Sequence, residues 1–149
     1  MNFKNCTLIL AGEPNSVFFE IFFKSLKKTN TKNPLVLIAS LKLLKFQMKK
    51  LGFKKKIKVL DLNNLKNYQL NNSFINLINI DYKHKISFGK ITRKSNSYIE
   101  KCFNTAFKIL KENKVKKIIN GPINKKTFLN KKFLGITEYI SNKFNIKKN

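Results

Sequence analysis

Val115-Lys116-Lys117-Ile118-Ile119 runs directly into Asn120-Gly121-Pro122-Ile123-Asn124-Lys125-Lys126. A short apolar run that ends in Gly-Pro reads as a strand followed by a turn. Gly121 lets the backbone bend or come close to a ligand, and Pro122 fixes the exit from the strand. Asn124 is a good N-cap, so a helix is expected to follow. A strand that hands over to a helix is one half-step of an open α/β sheet, whose ligands bind at the edge where strands end. Gly121, Pro122, Asn124 and Lys125 are therefore the candidate ligand-edge loop, with free N–H groups and nearby lysines suited to an anion.

Working outward, the same alternation repeats. Thr7 to Ala11 is an apolar run that stops at Gly12 and Pro14, and Ser16 is placed to cap a helix through about Leu26. Phe18, Phe19, Ile21, Phe22 and Phe23 make that helix apolar around most of its circumference, which marks a core or interface element. Leu35 to Ala39 reads as a second strand, with Ser40 capping a helix to about Leu51 that Gly52 ends. Ile57 to Leu60 reads as a third strand, the Asn-rich stretch from Leu62 to Asn72 as loop, and Phe74 to Ile80 as a fourth strand. Ser95 is placed to cap a helix over Asn96 to Lys111, whose residues Ile99, Cys102, Phe103, Ala106, Phe107 and Leu110 form one apolar stripe. Alternating strands and helices predict a parallel sheet covered by helices on both faces, a three-layer α/β/α fold in a single domain over residues 1–149. No Gly-x-Gly-x-x-Gly fingerprint of a doubly wound dinucleotide fold occurs.

Composition narrows the function classes. Hydrophobic residues make up 42% of the 149, enough for a packed core. A net charge of +25 points to nucleic acid or acidic membranes. Against a nucleic-acid partner, the lysines are spread from Lys4 to Lys148 and Arg93 is the only arginine, although guanidinium is the favoured group for reading bases and gripping phosphates. Lys, Asn, Ile and Phe also have the most A- and T-rich codons, so drift in an AT-rich genome enriches all four together. Cys6 and Cys102 match no metal spacing and read as reduced thiols. No stretch approaches a membrane span or a signal-peptide core, so the expected location is cytoplasmic. His84 is the sole histidine, set among lysines, and with Asp81 alone beside it makes no metal site of three or four ligands. No catalytic residue and no metal ligand is assigned from the residues themselves.

Three segments together carry a resemblance. Gly121-Pro122-Ile123-Asn124-Lys125-Lys126, then Gly135-Ile136-Thr137-Glu138, then Leu10-Ala11-Gly12-Glu13-Pro14 with Glu20 further on, resemble the 4-hydroxythreonine-4-phosphate dehydrogenase family. Gly89-Lys90 ahead of a long helix also falls where that family has Gly-Lys. The resemblance runs from about residue 7 to residue 144 and covers the family's N-terminal half. It implies the isocitrate and isopropylmalate dehydrogenase type of three-layer fold, with NAD and a divalent metal as cofactors and a phosphorylated small molecule as substrate. Thr137 would contact the substrate phosphate; read without the family, it is an N-cap for a helix through Ile140.

The departures are as specific as the matches. Ile136 stands where the family has a histidine that helps bind substrate, and isoleucine neither donates a hydrogen bond nor carries charge. Val17-Phe18-Phe19 replaces a glycine-rich run. The family's three metal-binding histidines would fall beyond Asn149. The expectation is a family homologue, inactive alone, acting as a homodimer or with a complementing second half, with exposed apolar surface around the Phe18–Phe23 helix and a tendency to self-associate. The alternative is a basic nucleic-acid binder or a non-catalytic interaction protein, which requires the lysines to converge on one face.

Overall fold

A computed structural model describes residues 3–28, 30–83, 91–113, 115–130 and 132–144. Five strands, β1 (Thr7–Leu10), β2 (Leu35–Ala39), β3 (Ile57–Val59), β4 (Ile75–Asn79) and β5 (Lys117–Asn120), form one sheet in the order β3-β4-β2-β1-β5. Every pairing is parallel, with Leu8 opposite both Val36 and Ile118. The expected α/β fold is the one found. The three inner strands are apolar and buried almost throughout because both sheet faces are covered. At the edges, Lys58 and Val59 on β3 and Lys117 and Ile119 on β5 remain partly or largely exposed. Lysine on an edge strand is a common guard against stray strand pairing.

Four helices connect and flank the strands: α1 (Phe18–Lys28), α2 (Leu41–Lys50), α3 (Asn96–Asn113) and α4 (Ile136–Lys143). Parallel strands need crossovers, and crossovers are right-handed. Moving outward from β1 through β2 to β3 places α1 and α2, which touch each other, on one face. Returning from β4 to β5 places α3, which packs on β1 and β2, on the other. Ser40 caps α2 as expected, its hydroxyl accepting from Leu43 N at 3.4 Å, and Gly52 follows the helix with φ +62°.

Several boundaries differ from the expectation. The Leu62–Asn67 stretch is a 3-10 turn rather than open loop, started by Asp61, whose carboxylate accepts from Asn63 N at 2.9 Å. The last strand begins at Lys117, leaving Val115 buried ahead of it, and extends one residue further to Asn120. Ser95 does not cap α3 but ends a 3-10 turn, Arg93–Ser95, that Thr92 caps. Nor does the phenylalanine helix lack cover: Phe18, Phe19, Phe22 and Phe23 are all buried, and Phe23 stacks on Phe53 with centroids 4.3 Å apart. Exposed apolar surface is nonetheless present at this helix, at Ile21 and at Val17 just ahead of it, as well as at Ile119 and Leu134.

Candidate functional site

Because all five strands are parallel, their C-terminal ends share one sheet edge, and the loops after β1 and β5 meet there. Gly12 has φ +71°, a conformation only glycine adopts cheaply, and a Cβ added to it would collide with Pro122 O. A Cβ on Gly121 would collide with Ala11 O and stand 2.6 Å from Phe18 Cδ2. The two glycines thus let two backbones touch. Gly121 N donates to Leu10 O at 2.7 Å and Glu13 N to Pro122 O at 2.8 Å, locking the loops together. The close approach expected at Gly121 is made to the neighbouring loop.

Glu13 is the buried charge of this edge, with 2% exposure. Ser95 Oγ lies 2.8 Å from Glu13 Oε2 and 3.0 Å from Thr92 O; its single proton goes to the carboxylate, the stronger acceptor. Tyr82 is held above its usual pKa by burial and then by the charge of Glu13. Tyr98, buried in an edge-to-face pair with Tyr82 at 5.2 Å, accepts from Ser40 N and is pushed well up by burial. Glu13 therefore ties together the loop after β1, the turn before α3 and, through its backbone, the loop after β5. Replacing Ser95 by alanine leaves part of that carboxylate without a donor, at a cost of about 1–3 kcal/mol in urea unfolding. Asn15 N already donates to Glu13 Oε1 at 3.4 Å, so a loss below a few tenths would show that Oε2 finds a second donor of its own.

Glu20 does not join this group. It is exposed on α1 and paired with Lys24 at 2.7 Å, which lowers its pKa through that hydrogen bond and charge.

Asn124 caps as expected, accepting from Thr127 N at 3.1 Å, but the segment it opens is a single π-helical turn, Lys125–Leu129. Asn130, at φ 46°, stops it. One turn has little macrodipole, so the anion-facing helix end expected here is weak. Lys125 and Lys126 are exposed beside it.

Thr137 is exposed as the second residue of α4, not its cap; Gly135 takes the cap position without a side-chain bond. Glu138 instead reaches back ahead of the helix, its Oε2 accepting from Leu134 N at 2.6 Å. A carboxylate already occupies the positive end of α4. Ile136 is half-buried against the core and offers no polar group at that end.

Among the described residues no three His, Cys, Asp or Glu side chains converge, and His84 and Gly89-Lys90 lie outside those residues. Glu13 is committed to Ser95, and Asp81 accepts from Asn79 Nδ2 at 3.1 Å. The described donors do not by themselves fit a divalent metal. Both thiols are buried, which pushes Cys6 and Cys102 up to about 12 and leaves them protonated and inert. No described helix is long and apolar enough to cross a membrane.

Sequence reasoning missed the Glu13–Ser95 bond, which spans 82 residues. The one available signal was a glutamate directly after an apolar strand, at the ligand edge.

Comparison with solved structures places this geometry among known folds. The chain is similar to a 4-hydroxythreonine-4-phosphate dehydrogenase from Burkholderia phymatum, with TM-score 0.79 and 19% identity over 99% of this chain and 46% of that one. It is similar to another from Klebsiella pneumoniae, with TM-score 0.77 and 18% identity over 93% of this chain and 44% of that one. The chain thus spans less than half the length of these structures. No curated protein sequence gives a significant match. The family model for the pyridoxal phosphate biosynthetic protein PdxA matches residues 30–149, beginning after the Gly12-Glu13-Pro14 loop. On that match, the chain belongs to the PdxA family.

Proposed function

We propose that this chain is a 4-hydroxythreonine-4-phosphate dehydrogenase homologue, equivalent to the N-terminal half of the family enzyme and unable to complete the reaction alone. The observation that carries the proposal is the family match across residues 30–149, which includes the Gly121–Lys126 loop at the ligand edge and the Thr137 helix. The reaction is an NAD-dependent oxidation and decarboxylation of phosphorylated 4-hydroxythreonine, in a cytoplasmic setting. NAD and a divalent metal supply the hydride acceptor and the charge stabilisation. In this reading the chain's own part is to bind: Thr137 donates to the substrate phosphate, and Lys125 adds positive charge on the candidate loop. Glu138 must turn aside when the phosphate arrives. Ile136 offers no partner to a polar substrate group, a loss of about 1–3 kcal/mol if that group is buried.

The remaining contacts come from a complementing second half or a second subunit. An uncovered edge strand, β5, with Ile119 55% exposed, supports an added segment there.

The test is to purify the chain, add NAD, a divalent metal and phosphorylated 4-hydroxythreonine, and follow NADH absorbance. No NADH is expected from residues 1–149 alone, and turnover is expected on adding a second polypeptide equivalent to the C-terminal half of the family enzyme. Turnover by the chain alone would refute inactivity. Silence from the mixture, with DNA binding that falls steeply with salt, would favour the basic-binder alternative. One observation keeps that second reading alive: Lys4, Lys32, Lys116 and Lys117 line adjoining cavities at the opposite, N-terminal edge of the sheet.

A further inference from the structure

We infer that Asn120 is a site of spontaneous deamidation, and that the pairing of β5 with β1 holds the reaction off. Asn120-Gly121 is the only Asn-Gly step in the sequence. At such a step the main-chain nitrogen of the glycine, with no Cβ beside it, can attack the asparagine side chain and close a five-membered imide. Packing fixes the glycine: an added Cβ on Gly121 would collide with Ala11 O and press on Phe18. The Asn120 side chain is already folded onto the following residue, its Nδ2 donating to Gly121 O at 3.1 Å.

What is missing is a free nucleophile. Gly121 N donates to Leu10 O at 2.7 Å, continuing the parallel ladder beyond the end of β5. Its proton is engaged and its nitrogen faces β1, while the strand holds Asn120 extended and turned away from ring closure. The guard is local. Among the described residues β5 pairs on one side only, and Asn120 is its last residue. Fraying of that end frees Gly121 N without unfolding the rest of the sheet.

The reaction needs only water besides the chain. Gly121 N gives up its proton and bonds to Asn120 Cγ; the Cγ–Nδ2 bond breaks, and ammonia leaves with that proton. Water then opens the imide at either carbonyl. One opening leaves aspartate, the other isoaspartate, in which the main chain runs through the former side chain. The imide has no N–H to give Leu10 O. Isoaspartate lengthens the main chain by one carbon where neither Gly12 nor Gly121 has room for a methyl. The product therefore cannot restore both the Gly121 N–Leu10 O and the Glu13 N–Pro122 O bonds. Conversion undoes the lock between the β1 and β5 loops, and it runs one way.

The test ages the full chain in mildly alkaline buffer, with and without enough urea to unfold it, and then cuts it at lysine. Mass spectrometry of the Ile118–Lys125 peptide counts conversion at Asn120, and chromatography separates isoaspartate from aspartate. In urea, Asn120 is expected to convert faster than Asn15, Asn72 and Asn96, each of which precedes serine. In native buffer it should convert at least about tenfold more slowly than in urea, as a protected amide does. Gly12→Ala forces the two loops apart, so it should speed native conversion about fivefold or more over Gly52→Ala, which leaves them untouched. Asn120→Gln, whose longer side chain closes a ring far more slowly, should keep its urea midpoint through ageing while that of the unaltered chain falls. No NAD, substrate or second polypeptide is involved, so the outcome does not depend on the family activity. The proposal is overturned by equal rates in native buffer and urea, by conversion in urea no faster than at the Asn-Ser steps, or by an aged chain whose midpoint is unchanged. Equal rates in the two glycine variants would also overturn it, because the guard would then be global folding rather than the contact between the β1 and β5 loops.

Discussion

Gly12→Ala is expected to lose about 3 kcal/mol of stability, read as a lower urea midpoint at unchanged slope. Two costs add. An alanine at φ +71° sits in the left-handed region at about 1–2 kcal/mol. Its Cβ also strikes Pro122 O, forcing apart the loops that Glu13 N and Gly121 N hold together, an overpacking cost of about 1–3 kcal/mol. Gly52 supplies an internal control. It has φ +62° but nothing within 4 Å of an added methyl, so Gly52→Ala should lose only the first term. Equal losses for the two variants would mean that the contact between the β1 and β5 loops is slack.

Phe103→Ala is expected to cost about 3–5 kcal/mol, a large share of the stability of a domain this size. Phe103 is fully buried on the inner stripe of α3. Its ring lies within 6 Å of Phe107, Phe128 and Tyr139, at 5.7, 5.8 and 5.4 Å between centroids. Removing it opens a void where α3, the π-helical turn and α4 meet. Phe103→Leu should recover more than half the loss in the same unfolding experiment, because packing volume is what it restores. A loss under about 1 kcal/mol for the alanine variant would show that this corner collapses to fill the gap.

Local chemistry made much of the fold legible. Leu35–Ala39 is bounded by Pro34 and Ser40, so its limits were readable to the residue, and the Ser40 cap set the start of α2. The alternation of strand and helix then implied the parallel sheet. What escaped was set by contacts made at a distance. Ser95 looks like a cap in sequence, but Glu13 claims its hydroxyl from across the fold. Thr137 has a capping side chain, yet Gly135 takes the cap position, because helix position depends on where the chain turns rather than on which residue would cap best. The turn after Asn124 ends early because Asn130 accepts a left-handed conformation that no local pattern announced. The glycine of the candidate loop has a structural use that the sequence did not announce: Gly121 lets the end of β5 come against the loop after β1.

The sheet order carries one more consequence, for the chain's birth rather than its finished form. β1 lies between β2, its near neighbour in sequence, and β5, the last of the five described strands to be made. During synthesis β1, α1 and β2 can associate early, but the far side of β1 stays open until the ribosome has delivered β5. Closing so long a loop is costly and slow, and parallel pairing rewards it only at the end. For that interval an apolar strand, Thr7–Leu10, offers an unpaired edge to any other nascent chain. Chaperone demand should therefore be governed by the arrival of the Val115–Asn120 segment.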